Sequence, residues 1–292
     1  MESQRLAVTT RDLYATVSRT ILAWLPERGV PHPRALSGPD VSAAVIFLGG
    51  RYQPASMRTV VTAVRMLCRF LEESGGCTGL ARAVPRQVSR RARSVDVLPA
   101  GVVDELTNSP DVASAKGRRD KAMLLLAART GLRPGDIAGL RLQDIDWTQG
   151  QITLTQHKTG ALLTLPLLAD VGDAIADYLL NGRPGGVFDE HVFLRSHAPY
   201  VGLSPLSDLY WVSAAAFART ATSPRNGKGQ GFRVLRASFA TRMLAGGAPL
   251  PVISGALGHR GIGSAKHYLA ADDRHMRDCC LDFTGIEPAG AR

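Results

Sequence analysis

Residues 231–244 read GFRVLRASFATRML and residues 256–270 read ALGHRGIGSAKHYLA. These two segments bring Arg233, Arg236, His259 and Tyr268 close together in sequence, among small and apolar neighbours. Arginine is always charged and presents a planar fork of N–H donors that matches phosphate oxygens. A tyrosine hydroxyl acts as a nucleophile when nearby cations stabilise its anion. Cations around a hydroxyl, with no paired-carboxylate motif for metal, suggest phosphoryl transfer without a metal ion. Taken singly, each residue also has an ordinary reading: a surface arginine, a helix-capping histidine, a half-buried core tyrosine.

Working outward, the same chemistry gains two more cations. Residues 118–130 form a helix too apolar for a surface, with Met123, Leu124, Leu125 and Leu126 in a row, and Gly131 is a natural cap for its C-terminal end. Arg133 follows in the turn and opens a short helix through Leu140. Strand signals at 151–156 and 161–165 flank His157-Lys158-Thr159-Gly160, a turn that carries Lys158 near its tip. Further helices are expected over 102–108, 168–180, 204–220, 232–245, 249–257 and 272–281, and Phe193-Leu194 reads as a short extended segment.

Upstream, the period is purely helical. Leu13, Val17, Ile21 and Leu25 mark a helix over 9–28. Pro39 and Asp40 open a second helix, closed by Gly49 and Gly50. A third spans 55–74, with Val60, Val64, Leu67 and Leu71 as its apolar stripe and Arg58, Arg65 and Arg69 on other faces. Residues 82–94, RAVPRQVSRRARS, have no apolar period and read as a basic linker carrying Arg86, Arg90 and Arg91. The expected division is a helical domain at 1–81, a linker at 82–98 and a second domain at 99–292. The pattern is mainly α with a small antiparallel β-sheet.

The 292-residue chain is 45% hydrophobic, enough for a sizeable core, and its net charge of +10 points to a polyanionic partner, nucleic acid first. The excess is uneven: residues 1–98 hold 14 arginines, no lysine and 7 acidic residues, whereas 99–292 are nearly balanced at 21 basic and 18 acidic. A basic N-terminal part fits a DNA-gripping module, in which each arginine either reaches a phosphate or solvates its helix. Four cysteines (Cys68, Cys77, Cys279, Cys280) show no metal or disulfide spacing and read as reduced thiols. No apolar run reaches the roughly 18 residues of a membrane span, and no secretory segment opens the chain, so a soluble cytoplasmic protein is expected.

The boxes, in this order, resemble those of the tyrosine recombinase (phage integrase) family. ARTGLRPGDIAGLRLQDID resembles its first-arginine box, with Arg133 at the catalytic position. ITLTQHKTGALLTLP is similar to its β-hairpin, with Lys158 as the lysine. RVLRASFAT resembles the second-arginine box, with Arg236 in place and Arg233 where the family usually has histidine; Ala237 replaces the histidine that often follows. ALGHRGIGSAKHY resembles the box that ends in the nucleophile, matching His259 and Tyr268. Residues 9–80 are more loosely similar to the family's helical core-binding domain.

The resemblance implies a site-specific recombinase acting on double-stranded DNA without cofactor or metal. Arg133 and Arg236 would clamp the scissile phosphate, with Arg233 and His259 adding hydrogen bonds. Tyr268 would form a 3′-phosphotyrosine link while Lys158 protonates the leaving 5′-oxygen. It implies a dimer on each site, a tetramer in the synapse, and a place among integrases, transposon enzymes or dimer resolvases. Residues 272–292 would dock on a neighbouring subunit or pack on their own domain. Two other readings share the fold: a type IB-like topoisomerase, and a DNA-binding protein that has lost catalysis.

Overall fold

The computed structural model describes residues 8–54, 56–86, 96–220, 231–259 and 261. Arg90, Arg91, Tyr268 and the helix expected at 272–281 lie outside the described residues. The chain forms two compact units, Met1–Arg91 and Ala92–Arg292.

The first unit is all helical: α1 (Val8–Trp24), α2 (Gly38–Gly49), α3 (Met57–Glu73) and a single turn, α4 (Leu80–Ala83). The helix expected to continue to residue 28 tightens to a 3-10 turn at Leu25–Arg28, where Pro26 has no N–H to give. Asp40 fixes the start of α2 by accepting the backbone N–H of Ser37 at 3.0 Å. Val17, Ile21 and Leu25 pack against Val41, Ala44 and Leu48 of α2 and Val60, Val64, Cys68 and Leu71 of α3. At about 2 kcal/mol per fully buried aliphatic side chain, this cluster is what holds the helices together.

The second unit opens with α5 (Ala100–Asn108), α6 (Ala115–Thr130) and α7 (Pro134–Ala138). Three antiparallel strands follow in sheet order β1 (Ile145–Asp146), β2 (Gln151–Thr155) and β3 (Leu162–Pro166). Then come α8 (Ala169–Asn181), α9 (Tyr210–Arg219), α10 (Phe232–Ala245) and α11 (Leu250–Ala256). Leu154 faces Leu163 and Ile152 faces Leu165 across β2 and β3, so these four side chains share the core face of the sheet. α6 is the central helix: Ala122 to Ala128 are all at most 6% exposed.

The structure departs from the sequence expectation in three further places. The sheet has a third strand, β1, which pairs Ile145 with Ile152. The helix expected from 204 begins only at Tyr210. Before it, Ser204, Ser207 and Asp208 side chains accept the backbone N–H groups of Leu206, Leu209 and Tyr210, which competes with helix formation, and Leu209 adopts a left-handed φ of 51°. Both ends of the expected linker are packed: Val84 lies in the core of the first unit, and Leu98 is buried in the second, its N–H donating to Ser238 Oγ at 2.8 Å.

Candidate active site

α6 ends at Gly131, whose φ of +66° suits glycine. A Cβ there would stand 2.5 Å from Phe239 Cδ1 and 2.8 Å from Leu257 Cδ2, so α10 and the end of α11 approach because this residue has no side chain. Leu132 is buried, and the extended Arg133 caps the start of α7. Arg133 Nη1 donates to Gln156 Oε1 at 2.9 Å and lies 3.8 Å from the Asp136 carboxylate. Its other N–H groups donate to no described residue.

Arg236 reaches the same place from α10. Although only 8% exposed, it donates Nη1 to the Gly131 carbonyl at 2.6 Å and Nη2 to the Leu257 carbonyl at 2.9 Å. The same Nη2 lies 3.0 Å from His259 Nε2. A guanidinium only donates, so Nε2 is the acceptor and the imidazole proton sits on Nδ1. His259 is placed by the turn after α11: Gly258 has φ +58°, and the His259 N–H donates to Ser254 O at 2.9 Å. Burial, then the charges of Arg236 and Arg133, lower the pKa of His259 from 6.5 to about 4.

Among the described residues, Asp136 is the one carboxylate in this cluster. Its Oδ1 accepts the backbone N–H of His157 at 2.9 Å, and burial raises its pKa even though Arg133 and Arg236 are near. Two guanidiniums against one carboxylate, beside a neutral histidine, make the described part of the site net positive. The contrast with Arg119 is informative. That arginine is also buried, but Asp120 neutralises it through contacts of 3.1 and 2.8 Å. The hydrogen bonds described for Arg236 go to carbonyl oxygens and an imidazole, which satisfy its donors without cancelling its charge. Such a site suits an oxyanion.

The structure therefore brings together Arg133, Arg236 and His259. Lys158 is exposed at the tip of the β2–β3 hairpin, rooted beside this cluster at Gln156, and makes no hydrogen bond or ion pair with a described residue. Arg233 is exposed in the first turn of α10. Tyr268 lies outside the described residues. Sequence reasoning missed Gln156 and Asp136. Each left a signal: Asp136 stands three residues after Arg133 on a short helix, and Gln156 continues the buried register of Ile152 and Leu154.

In the first unit, Arg65, Arg69 and Arg86 line one open cleft together with Arg82 and Glu72. Arg65 is tethered by donating Nη2 to Pro85 O at 3.2 Å. Arg58 is exposed at the start of α3 and is not among the cleft residues.

Comparison with known proteins gives a consistent answer. The family model described as "Phage integrase family" matches residues 96–275. Integrase/recombinase y4rA of Sinorhizobium fredii (strain NBRC 101917 / NGR234) is 34% identical over 287 residues, which covers 97% of this chain and 68% of that protein. Tyrosine recombinase XerD of Lacticaseibacillus casei is 26% identical over 281 residues, covering 93% of this chain and 90% of XerD. Among solved structures, a lambda integrase dimer bound to a COC′ core site superposes with a TM-score of 0.67 at 19% identity, covering 99% of this chain and 94% of that one. The Tn1549 transposon integrase in complex with circular intermediate DNA gives 0.65 at 13% identity, covering 91% and 90%. The fold and site thus define a tyrosine-type, site-specific DNA recombinase, and neither the topoisomerase reading nor the inactive DNA-binding reading is favoured. The chain belongs to the phage integrase family. No described helix is long and apolar enough to cross a membrane.

Proposed function

We propose that this recombinase cuts and rejoins double-stranded DNA through a covalent 3′-phosphotyrosine intermediate at Tyr268. Arg133 and Arg236 hold the two non-bridging oxygens of the scissile phosphate and stabilise the charge that builds on them in the transition state. His259 and Arg233 add hydrogen bonds to the same phosphate. Tyr268 gives up its phenol proton to solvent and attacks phosphorus, and the bond to the 5′-oxygen breaks as Lys158 supplies that oxygen's proton. The phosphodiester energy is kept in the protein–DNA link, so rejoining needs no nucleotide cofactor. The 5′-hydroxyl of a second strand reverses the step.

The observation that carries this proposal is the convergence of three groups: Arg236 contacts His259 and the Leu257 carbonyl, and Arg133 reaches Gln156, whose amide shares that carbonyl. Arg65, Arg69 and Arg86, with the exposed Arg58, grip the DNA backbone; Arg90 and Arg91 extend that contact along the chain. The relatives solved as DNA-bound dimers and tetramers support a dimer on each site and a tetramer in the synapse. The presence of a transposon integrase among the structural relatives supports mobile-element DNA as a substrate.

The test uses duplexes tiled from the DNA flanking the gene, each nicked so that a cut beside the nick releases a short fragment. The protein is expected to form a covalent complex that survives denaturation on duplexes of one sequence only. The absence of any such complex across the tiled set overturns the proposal.

A further inference from the structure

Gln156 is fully buried at the end of β2, where a polar side chain needs partners for both ends of its amide. It has them. Oε1 accepts from Arg133 Nη1 at 2.9 Å and from Thr159 Oγ1 at 2.8 Å. Nε2 donates to the Leu257 carbonyl at 3.2 Å. The orientation is chemically fixed, because a guanidinium can only donate and a carbonyl can only accept. The same Leu257 carbonyl takes Arg236 Nη2 at 2.9 Å. A Cβ on Gly258 would fall 2.2 Å from Gln156 Oε1, so the amide lies flat against the turn that delivers His259. The main chain of Gln156 closes the hairpin loop, its N–H donating to Ala161 O at 2.9 Å and its carbonyl accepting from Gly160 N at 2.8 Å.

We infer that Gln156 is a positioning residue. Its amide aims the Arg133 guanidinium at the scissile phosphate and, through the shared Leu257 carbonyl, sets Arg133 and Arg236 in register with each other. Its described hydrogen bonds go to Arg133, Thr159 and Leu257, so it acts on the phosphate through Arg133. This rests on the recombinase reading above. A guanidinium displaced by about 1 Å from its transition-state contact costs on the order of 10²-fold in rate, so an amide that holds one in place is worth that much to cleavage.

The assignment separates from two rivals. If Gln156 acted through Lys158, whose hairpin it also closes, its loss would hinder protonation of the leaving oxygen. If it only held the fold together, its loss would lower the fraction of folded protein. The experiment uses the full chain and measures single-turnover cleavage at saturating DNA, DNA affinity and thermal melting for Gln156→Leu and Gln156→Glu. Both are run on a normal duplex and on one with sulfur in place of the 5′-bridging oxygen, whose thiolate leaves without a proton. Gln156→Glu keeps the side-chain shape and the acceptor towards Arg133, but loses the donor to Leu257 and neutralises the guanidinium. It serves if the leucine variant does not fold.

The expected result is a fall in cleavage of about 10–10²-fold per folded molecule, the same on both duplexes, with affinity changed by less than about 3-fold. Lys158→Ala, in contrast, should recover on the sulfur duplex. Wild-type cleavage rates in both Gln156 variants would overturn the inference. So would recovery on the sulfur duplex, or a loss that vanishes when corrected for the folded fraction. A wild-type chain that forms no adduct would instead overturn the recombinase reading.

Discussion

In the first unit, Arg65, Arg69, Arg82 and Arg86 stand around an open cleft, where water shares their charge. In the second, Arg236 is 8% exposed and held by two carbonyls, and Arg133 is largely covered and held by an amide. The same side chain serves two ends. Arginines open to water, on helices or just beyond them, attract a polyanion with little orientational demand, and salt screens them. Covered arginines whose closest described hydrogen-bond acceptors are neutral keep a concentrated, oriented charge that water screens poorly, which suits transition-state stabilisation. The first arrangement suits affinity and the second suits rate.

That contrast can be broken most forcefully at Arg236. Arg236→Ala is expected to lower single-turnover cleavage at saturating DNA by about 10²–10³-fold while changing affinity by only a few-fold. An equal loss in both would erase the distinction between the units. Gly131→Ala attacks the site from behind. It forces a Cβ into a left-handed backbone and against Phe239 and Leu257, and should destabilise the chain by about 2–4 kcal/mol in chemical denaturation. On the other side of the comparison, replacing Arg65, Arg69 and Arg86 together with glutamine should flatten the slope of log affinity against log salt by about 2–3. Cleavage at saturating DNA should stay near wild type.

The smallest effect is a titration. NMR of the DNA-free protein should place the His259 midpoint near 4, well below its ordinary 6.5. A histidine whose pKa is depressed by folding favours the folded state above the unfolded pKa. That contribution is lost as pH falls from about 6.5 towards 4, because the unfolded chain takes up the proton first. A bound phosphate sets a negative charge against Arg133 and Arg236, so the midpoint should rise when DNA is added. A midpoint that stays put would mean that the phosphate does not reach this cluster.

Much of this was legible in the residues. The i, i+4 apolar stripes gave α1 and α3, because burying one face is what stabilises a helix, and the unbroken apolar run at 123–126 with its Gly131 cap gave the buried α6. Alternation over 151–156 gave the hairpin. Features of only a few residues were not legible: β1 is two residues long and α4 four, too short to carry a period. α9 starts late because side-chain hydrogen bonds from Ser204, Ser207 and Asp208 hold the chain in turns, and a helical hydrophobic count does not register them. Arg133, Arg236 and His259 were named from their order in the chain, and the fold places them together. Gln156 escaped because a glutamine next to a hairpin turn reads as a solvent residue. The pleat turns it inward, on the same face as Ile152 and Leu154, and its chemistry exists only because Arg133 and Leu257 arrive there from distant parts of the chain. Tyr268 was named from its box and lies outside the described residues, so its role rests on chemistry that a direct experiment can read.

That experiment is peptide mapping by mass spectrometry of the covalent complex trapped on a nicked duplex. The proposed transfer of the scissile phosphate to Tyr268 predicts a nucleotide mass on the peptide that carries Tyr268, and no adduct from the Tyr268→Phe protein at unchanged DNA affinity. A nucleotide found on any other residue, or an adduct that persists in Tyr268→Phe, would contradict it.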